Sequence, residues 1–167
     1  MIRFAREDDW RSILEVHLAA FGKDRVPRLA AELHGQSDLY VPELSFVAEE
    51  DGVVVGHVMN TWSWIEATEE RVLQLSPLGV LPAYQRRGHG SQLVRASLDA
   101  VRAAGEPLLL VQGDPAYYGR FGFVQASGLG LLRPPQALND YGFLAVVLEP
   151  EATLPQGQVV YSEPFRH

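Results

Sequence analysis

The stretch that decides the fold of this chain is Gln85-Arg86-Arg87-Gly88-His89-Gly90, which we call the glycine loop. The apolar run Arg71–Leu81 precedes it and predicts a strand, and Ser91–Ala104 follows with apolar residues at helical spacing. Amides at the start of a helix lack partners within the helix, and the helix dipole adds positive charge there. Glycines in such a loop let a phosphate approach those amides. The sequence therefore predicts an anion site.

Two common phosphate loops are excluded by inspection. A Rossmann fingerprint needs a third glycine where Leu93 stands, and a P-loop needs Gly-Lys followed by Ser or Thr. The competing interpretation of the glycine loop is a glycine-rich turn with solvated arginines.

The glycine loop resembles the coenzyme A motif of the GNAT N-acetyltransferases, Gln/Arg-x-x-Gly-x-Gly/Ala, with Gln85, Gly88 and Gly90 in register. Leu78-Gly79-Val80-Leu81-Pro82 is similar to the end of that family's fourth strand. Tyr118-Gly119-Arg120-Phe121-Gly122-Phe123 has its Tyr-x-x-x-Gly-Phe spacing. The resemblance covers about Met1–Phe123 and implies a stand-alone bacterial-type member. Its fold would be mixed α/β (α+β), with a mostly antiparallel central sheet flanked by helices.

The resemblance also implies a set of site residues. Acetyl-CoA would be the cosubstrate, held by Leu78, Val80, Gln85, Arg86, Arg87, Gly88, His89, Gly90 and Ser91. Tyr118 would be the general acid for the coenzyme thiolate, because a phenol can donate a proton to it. The backbone N–H of Val80 would meet the developing oxyanion. For Tyr118 the alternative is simple packing on Phe121 and Phe123, and the adjacent Tyr117 suits core packing better.

The base that deprotonates the amine is not identified by the sequence. An alkyl ammonium is deprotonated only about once in 10³ to 10⁴ at neutral pH, so a base or a water relay is expected. Gln74 stands where some family members carry a glutamate; it cannot be a base, although its amide could hold a water. The candidates left unranked are Glu69, Glu70, Asp38, Glu43 and His57. His57 is better interpreted as a packed or hydrogen-bonded residue than as a catalyst. Trp62 and Trp64 are interpreted either as the lining of an acceptor pocket or as packing residues.

Composition narrows the class of protein. The 167 residues predict one domain, 1–167, and the net charge of −7 opposes nucleic-acid phosphates. The acidic N-terminus and the lack of a long apolar run predict a cytoplasmic protein without membrane contact. Cysteine is absent and the five histidines show no ligand spacing, so no metal site is expected.

Hydrophobic periodicity predicts most of the other elements. Strands are expected at Met1–Phe4, Leu44–Glu49, Val53–Trp62, Pro107–Gln112, Phe143–Leu148 and Gln158–Tyr161. Glu50-Asp51-Gly52 is predicted to form a tight turn between the second and third of these strands. Helices are expected after Asp9, over Val26–Leu33 and from Asp114-Pro115, which supply a cap and a first-turn proline. Gly35–Pro42 reads as a loop, and Ala126–Asn139 has no general counterpart in the family. The inward face of the first helix is predicted to be Trp10, Ile13, Leu14, His17, Leu18 and Phe21.

The sequence thus predicts an N-acetyltransferase that moves an acetyl group from acetyl-CoA to a primary amine by direct attack, since no cysteine can form an acyl-enzyme. The acceptor could be the amine of a small molecule or of a protein. The acidic surface weakly favours a cationic acceptor. A homodimer is left open. The alternative from another class is a noncatalytic acyl-CoA binding or sensing module on the same fold.

Overall fold

The computed structural model describes residues 1–166. The helices are α1 (Trp10–Phe21), α2 (Arg25–His34), α3 (His89–Ala103) and α4 (Pro115–Tyr118). The strands are β1 (Ile2–Phe4), β2 (Tyr40–Glu50), β3 (Val53–Ile65), β4 (Arg71–Val80), β5 (Leu108–Gln112), β6 (Val124–Gln125), β7 (Leu131–Leu132), β8 (Phe143–Val147) and β9 (Gly157–Val160). The predicted mixed α/β class is confirmed, and most strand pairs are antiparallel.

The chain divides into two compact units. The first comprises Met1–Thr61 and Ser76–Ala100, and the second comprises Trp62–Leu75 and residues 101–166. No helix within residues 1–166 is long and apolar enough to cross a membrane.

The first unit is built on antiparallel pairing of β1 with β2 and of β2 with β3. The turn between β2 and β3 has positive φ at Asp51 and Gly52, as a tight hairpin turn requires, and confirms the predicted turn. β2 begins at Tyr40, so the end of the predicted loop Gly35–Pro42 is strand instead. The register of β2 against β3 shifts between Tyr40 and Ser45, because the chain bulges there.

The inward face of α1 differs in part from the prediction. Trp10, Ile13, Val16 and His17 are buried, but Leu18 is 50% and Phe21 46% exposed. Helical spacing identifies which residues share a face, but it does not say how far along the helix that face is covered. The last turn of α1 is therefore only half covered.

The second unit is built around β5. Its residues Leu108–Val111 are buried, as the wholly apolar segment predicted. β5 pairs in parallel with the first half of β4 and antiparallel with β8, and β8 pairs with β6. β9 pairs antiparallel with the end of β3 and parallel with β7. The short strands β6 and β7 were not predicted, because two residues carry no detectable periodicity.

A pair of histidines lies in the core of the first unit. His17 on α1 and His57 on β3 are both 0% exposed, with 2.8 Å between His17 Nε2 and His57 Nδ1. Burial lowers the pKa of His17 to about 4, and burial together with the neighbouring His17 and His34 holds the pKa of His57 well below its usual value. Both imidazoles are therefore neutral at pH 7.

We expect acid to destabilise the protein through this pair. The unfolded chain protonates these histidines near pH 6.5 and the folded chain does not, so stability is lost as the pH falls from 6.5 towards 4. The shift at His17 corresponds to about 3 kcal/mol at the lower end of that range. Urea unfolding between pH 7 and pH 4.5 measures the loss. His17→Gln should flatten this dependence, and an equal slope in the variant and the wild type contradicts the assignment.

Candidate active site

The glycine loop joins the end of β4 to the start of α3. β4 ends at Val80, a 3₁₀ turn covers Pro82–Tyr84, and α3 begins at His89. Gly88 has φ +89°, a conformation that side-chain-bearing residues rarely adopt, and it is exposed. The first intrahelical hydrogen bond runs from Gln92 N–H to the Gly88 carbonyl, 3.0 Å, so His89 and Gly90 lie in the first turn. The loop has the geometry of an anion site at a helix N-terminus.

The side chain of Gln85 fixes the start of the loop. Gln85 Nε2 donates to the carbonyl oxygen of Val80 at 3.0 Å. This bond satisfies the last carbonyl of β4 and holds the loop against the strand that leads into it.

A carboxylate that was not predicted organises the basic residues of the loop. Glu50, the last residue of β2, accepts from Arg87 Nη1 at 2.9 Å and lies 2.7 Å from His89 Nε2. The hydrogen bond with His89, followed by the charge of Arg87, lowers the pKa of Glu50. The Arg87 guanidinium also lies over the ring of Tyr84, 4.9 Å from its centroid. The contact of Glu50 with the loop was not predicted, because Glu50 is 37 residues from Arg87 in the sequence and its neighbours indicated only a turn.

Tyr118 belongs to the second unit and lies at the end of α4. Asp114 caps this helix, accepting from Ala116 N–H at 2.9 Å, as predicted. A methyl group at Gly113 would collide with the ring of Tyr118, so Gly113 leaves the space that the ring occupies. The ring also contacts Tyr117 and Phe123 edge-on, with centroid distances of 4.9 and 5.6 Å.

Burial raises the pKa of the Tyr118 phenol, and Tyr117 adds to the rise. Tyr118 is therefore a neutral phenol throughout the physiological pH range. A neutral phenol can donate a proton to a thiolate but cannot act as a base.

Gln74 is part of a closed hydrogen-bond network in the second unit. It is 2% exposed, and its Oε1 accepts from Ser63 Oγ at 3.1 Å. Gln74 also hydrogen-bonds the hydroxyl of Tyr161, which in turn donates to Gln112 Oε1 at 3.0 Å. The side chains of Ser63 and Tyr161 are the hydrogen-bond partners of Gln74.

The other candidate residues from the sequence analysis differ in how far they are buried and in what they contact. Asp38, Glu43, Glu69 and Glu70 are exposed, and His57 is enclosed by His17 and Ser45. Trp62 lies under the Arg71 guanidinium, 4.0 Å from its ring centroid, so cation–π packing accounts for it. Within residues 1–166, no group of three or more metal-ligating side chains occurs.

The second unit also holds an open cavity of about 730 Å³. Five residues of the Ala126–Asn139 segment, 132–136, line it together with Asp140, Arg166 and others from β9 and the end of β3. None of the predicted site residues lines this cavity.

Comparison with known proteins adds independent findings. Residues 1–126 match the family model described as acetyltransferase (GNAT) domain. The uncharacterized N-acetyltransferase YjhQ of Escherichia coli is 33% identical over 124 residues, which cover 73% of this chain and 68% of the relative.

Two solved structures resemble the whole chain. The GNAT family N-acetyltransferase YhbS from Escherichia coli, determined in complex with CoA, has a TM-score of 0.90 and 28% identity, covering 100% of this chain and 92% of its own. A GNAT family acetyltransferase from Brucella melitensis, in complex with acetyl-CoA, has a TM-score of 0.81 and 31% identity, covering 99% and 97%. With the glycine loop, the mixed sheet and the family match in agreement, the chain belongs to the GNAT acetyltransferase family.

Proposed function

We propose that this protein transfers an acetyl group from acetyl-CoA to a primary amine by direct attack. The observation that carries the proposal is the glycine loop, an exposed loop with Gly88 in a left-handed conformation at the start of α3, in a chain of the GNAT acetyltransferase family. The similar proteins from Escherichia coli and Brucella melitensis were solved with CoA and acetyl-CoA, which supports the choice of donor.

The residues of the loop suit a pyrophosphate. First-turn amides at His89 and Gly90 attract an anion, and Arg86 and Arg87 can add charge-assisted hydrogen bonds. Leu78, Val80, Gln85, Gly88 and Ser91 complete the proposed binding set. Acetyl-CoA would supply an activated thioester, and the amide of Val80 would stabilise the oxyanion that forms when the amine attacks.

Proton transfer to the leaving thiolate is assigned to Tyr118. Its neutral phenol, its ring seated against Gly113 and its match to the family motif support this role. Gln74 cannot act as the base that removes a proton from the incoming amine, because an amide does not accept a proton at neutral pH.

The proposed coenzyme site predicts a loss of binding in Gly88→Val. A β-branched residue is strained at φ +89° and its side chain would block the approach of a phosphate to the loop amides. Because Gly88 is exposed, the fold should survive. Calorimetric titration with CoA should show no measurable binding, while the control Gly128→Val, at an open position of the second unit, should bind normally. Unchanged affinity in folded Gly88→Val refutes the site.

The general-acid role predicts that Tyr118→Phe lowers turnover and spares coenzyme affinity. Positioned proton transfer contributes typically about 10² to 10⁴ in rate, and a proton donor acts in the transition state rather than in ground-state binding. The phenyl ring keeps the packing on Gly113 and Phe123. Steady-state kinetics with thiol detection measures both quantities, and Tyr117→Phe is the matched control. If kcat is unchanged and only stability falls, Tyr118 is a packing residue.

The acceptor chemistry predicts that the rate with small cationic amines rises with pH. With neutral imidazoles at His17 and His57 and an amide at Gln74, the reactive free amine grows about tenfold per pH unit below the pKa of the acceptor. Amines of lower pKa should show a flatter profile over the same range. A screen of amines with acetyl-CoA measures thiol release against pH. If acetyl-CoA binds but no amine, peptide or protein is acetylated, a noncatalytic acyl-CoA sensing module becomes the better account.

A further inference from the structure

The hydrogen bonds around Gln74 run in one direction. The Ser63 hydroxyl donates to Gln74 Oε1 at 3.1 Å, so the amide nitrogen of Gln74 is the group that meets the Tyr161 hydroxyl. The Tyr161 hydroxyl in turn donates to Gln112 Oε1 at 3.0 Å. We call these four side chains the donor row, because each of the first three donates to the next.

The donor row begins in the core of the second unit and ends at its surface. Ser63, Gln74 and Tyr161 are each at most 2% exposed, whereas Gln112, the last residue of β5, is exposed. Burial raises the pKa of the Tyr161 phenol, so its hydroxyl keeps the proton that it donates. The buried part of the row therefore holds the side chain of Gln112 from the inside and leaves it accessible to a ligand.

The hydrogen bond from Tyr161 orients the whole amide group of Gln112. A side-chain amide carries its oxygen and its NH₂ group on different branches, so an oxygen that is held by Tyr161 turns the two N–H donors of Nε2 away from that ring. These donors do not attract an ammonium group, but they match a carbonyl or hydroxyl oxygen. The exposed end of the donor row thus presents an oriented hydrogen-bond donor, the kind of polar group that fixes a ligand in a site.

Gln112 is adjacent in the chain to the glycine that seats Tyr118. The missing side chain of Gly113 leaves the space that the ring of Tyr118 occupies, so this ring lies against the residue that follows Gln112. Gln74 is paired with Leu110 in the parallel ladder of β4 and β5, and Gln112 follows Leu110 by two residues. The side chains of Gln74 and Gln112 therefore lie on the same face of the sheet. All of these residues belong to the second unit.

We propose that Gln112 is a specificity-determining residue that donates a hydrogen bond to the acceptor, and that the acceptor is an amine with a carbonyl or hydroxyl oxygen near its nitrogen. The proposal rests on the proposed acetyl transfer and names the class of its acceptor.

Gln74 and Tyr161 are positioning residues in this proposal, because they act on the acceptor only through the amide of Gln112. The direction of the donor row also accounts for an amide at position 74. An ionised carboxylate there would have no hydrogen to donate and would accept from the Tyr161 hydroxyl instead. Gln112 Oε1 would then lose its donor, and the orientation of its amide would no longer be fixed.

The test compares the acceptor selectivity of Gln112→Glu with that of the wild type. The glutamate keeps an oxygen that accepts from Tyr161 and replaces the N–H donors by a second oxygen. The probes are methoxyethylamine, which has an ether oxygen in place of a hydroxyl, glycine dimethylamide, which has a carbonyl oxygen, and butylamine, which has no oxygen. The kcat/KM of at least one oxygen-bearing amine relative to butylamine should fall about three- to tenfold, the worth of one neutral hydrogen bond.

This ratio isolates the hydrogen bond. The pKa differences among the amines are the same for both enzymes at one pH, and the added negative charge acts on all three ammonium groups alike. The amine whose ratio falls further identifies whether the site takes a carbonyl or a hydroxyl oxygen.

Tyr161→Phe tests the positioning by the donor row. It keeps the ring that packs against Phe143 and Phe165 and removes the hydroxyl that orients Gln112. The same ratio should fall, but by less than in Gln112→Glu, because the freed amide still donates in some of its orientations. A merely structural role of Tyr161 would lower the activity with all three amines alike and leave the ratio unchanged.

Gln125→Glu is the matched control, because Gln125 is an exposed glutamine on β6, outside the donor row, and carries the same change of charge. It should leave the ratios as they are in the wild type. Urea unfolding shows whether each variant folds, and unchanged ratios in folded Gln112→Glu overturn the proposal, whether or not the KM for acetyl-CoA changes. If the wild type binds acetyl-CoA but acetylates no amine, the proposed function fails instead, so the two failures are distinguished.

Discussion

The backbone of β4 is the constraint on which the proposed site of this protein depends. Its first half is fixed by parallel pairing with the buried strand β5, and its end at Val80 is fixed by the side chain of Gln85. Gly79 has no side chain, so α1 can place His17 directly against the strand. Within the first unit, the contacts of Gln85 and His17 restrain the end of β4, because a close-packed interior leaves little slack.

The glycine loop is basic, whereas the protein as a whole is acidic. The body carries a net charge of −7, whereas the glycine loop concentrates Arg86, Arg87 and the N-terminus of α3. Glu50 holds Arg87 and His89 in place without removing Arg86 from the loop. The anionic coenzyme and the cationic amine of the proposed reaction would therefore be attracted by different parts of the same chain.

The side chains of Tyr118, Gln74 and His17 are all neutral at physiological pH. Burial keeps Tyr118 protonated and His17 deprotonated, and Gln74 replaces a carboxylate within a closed network. Neutral groups avoid the large cost of burying a charge, but they can only pass protons along or donate them. A neutral phenol therefore suits the proposed role of proton donor to the thiolate, and neither Gln74 nor the buried His17 supplies a strong base for the amine.

The sequence by itself determined the strand–loop–helix around Gly88, the buried strand β5 and the capped start of α4, and through the resemblance it predicted the family that the comparisons confirm. These features are encoded within short windows, where periodicity, caps and glycine act locally. Only the tertiary structure decided that Glu50 meets Arg87, 37 residues away, and that His17 meets His57, 40 residues away. The tertiary structure also decided that the last turn of α1 is half exposed. The physical reason is that contacts between distant residues depend on the register and packing of whole elements, which no local window contains.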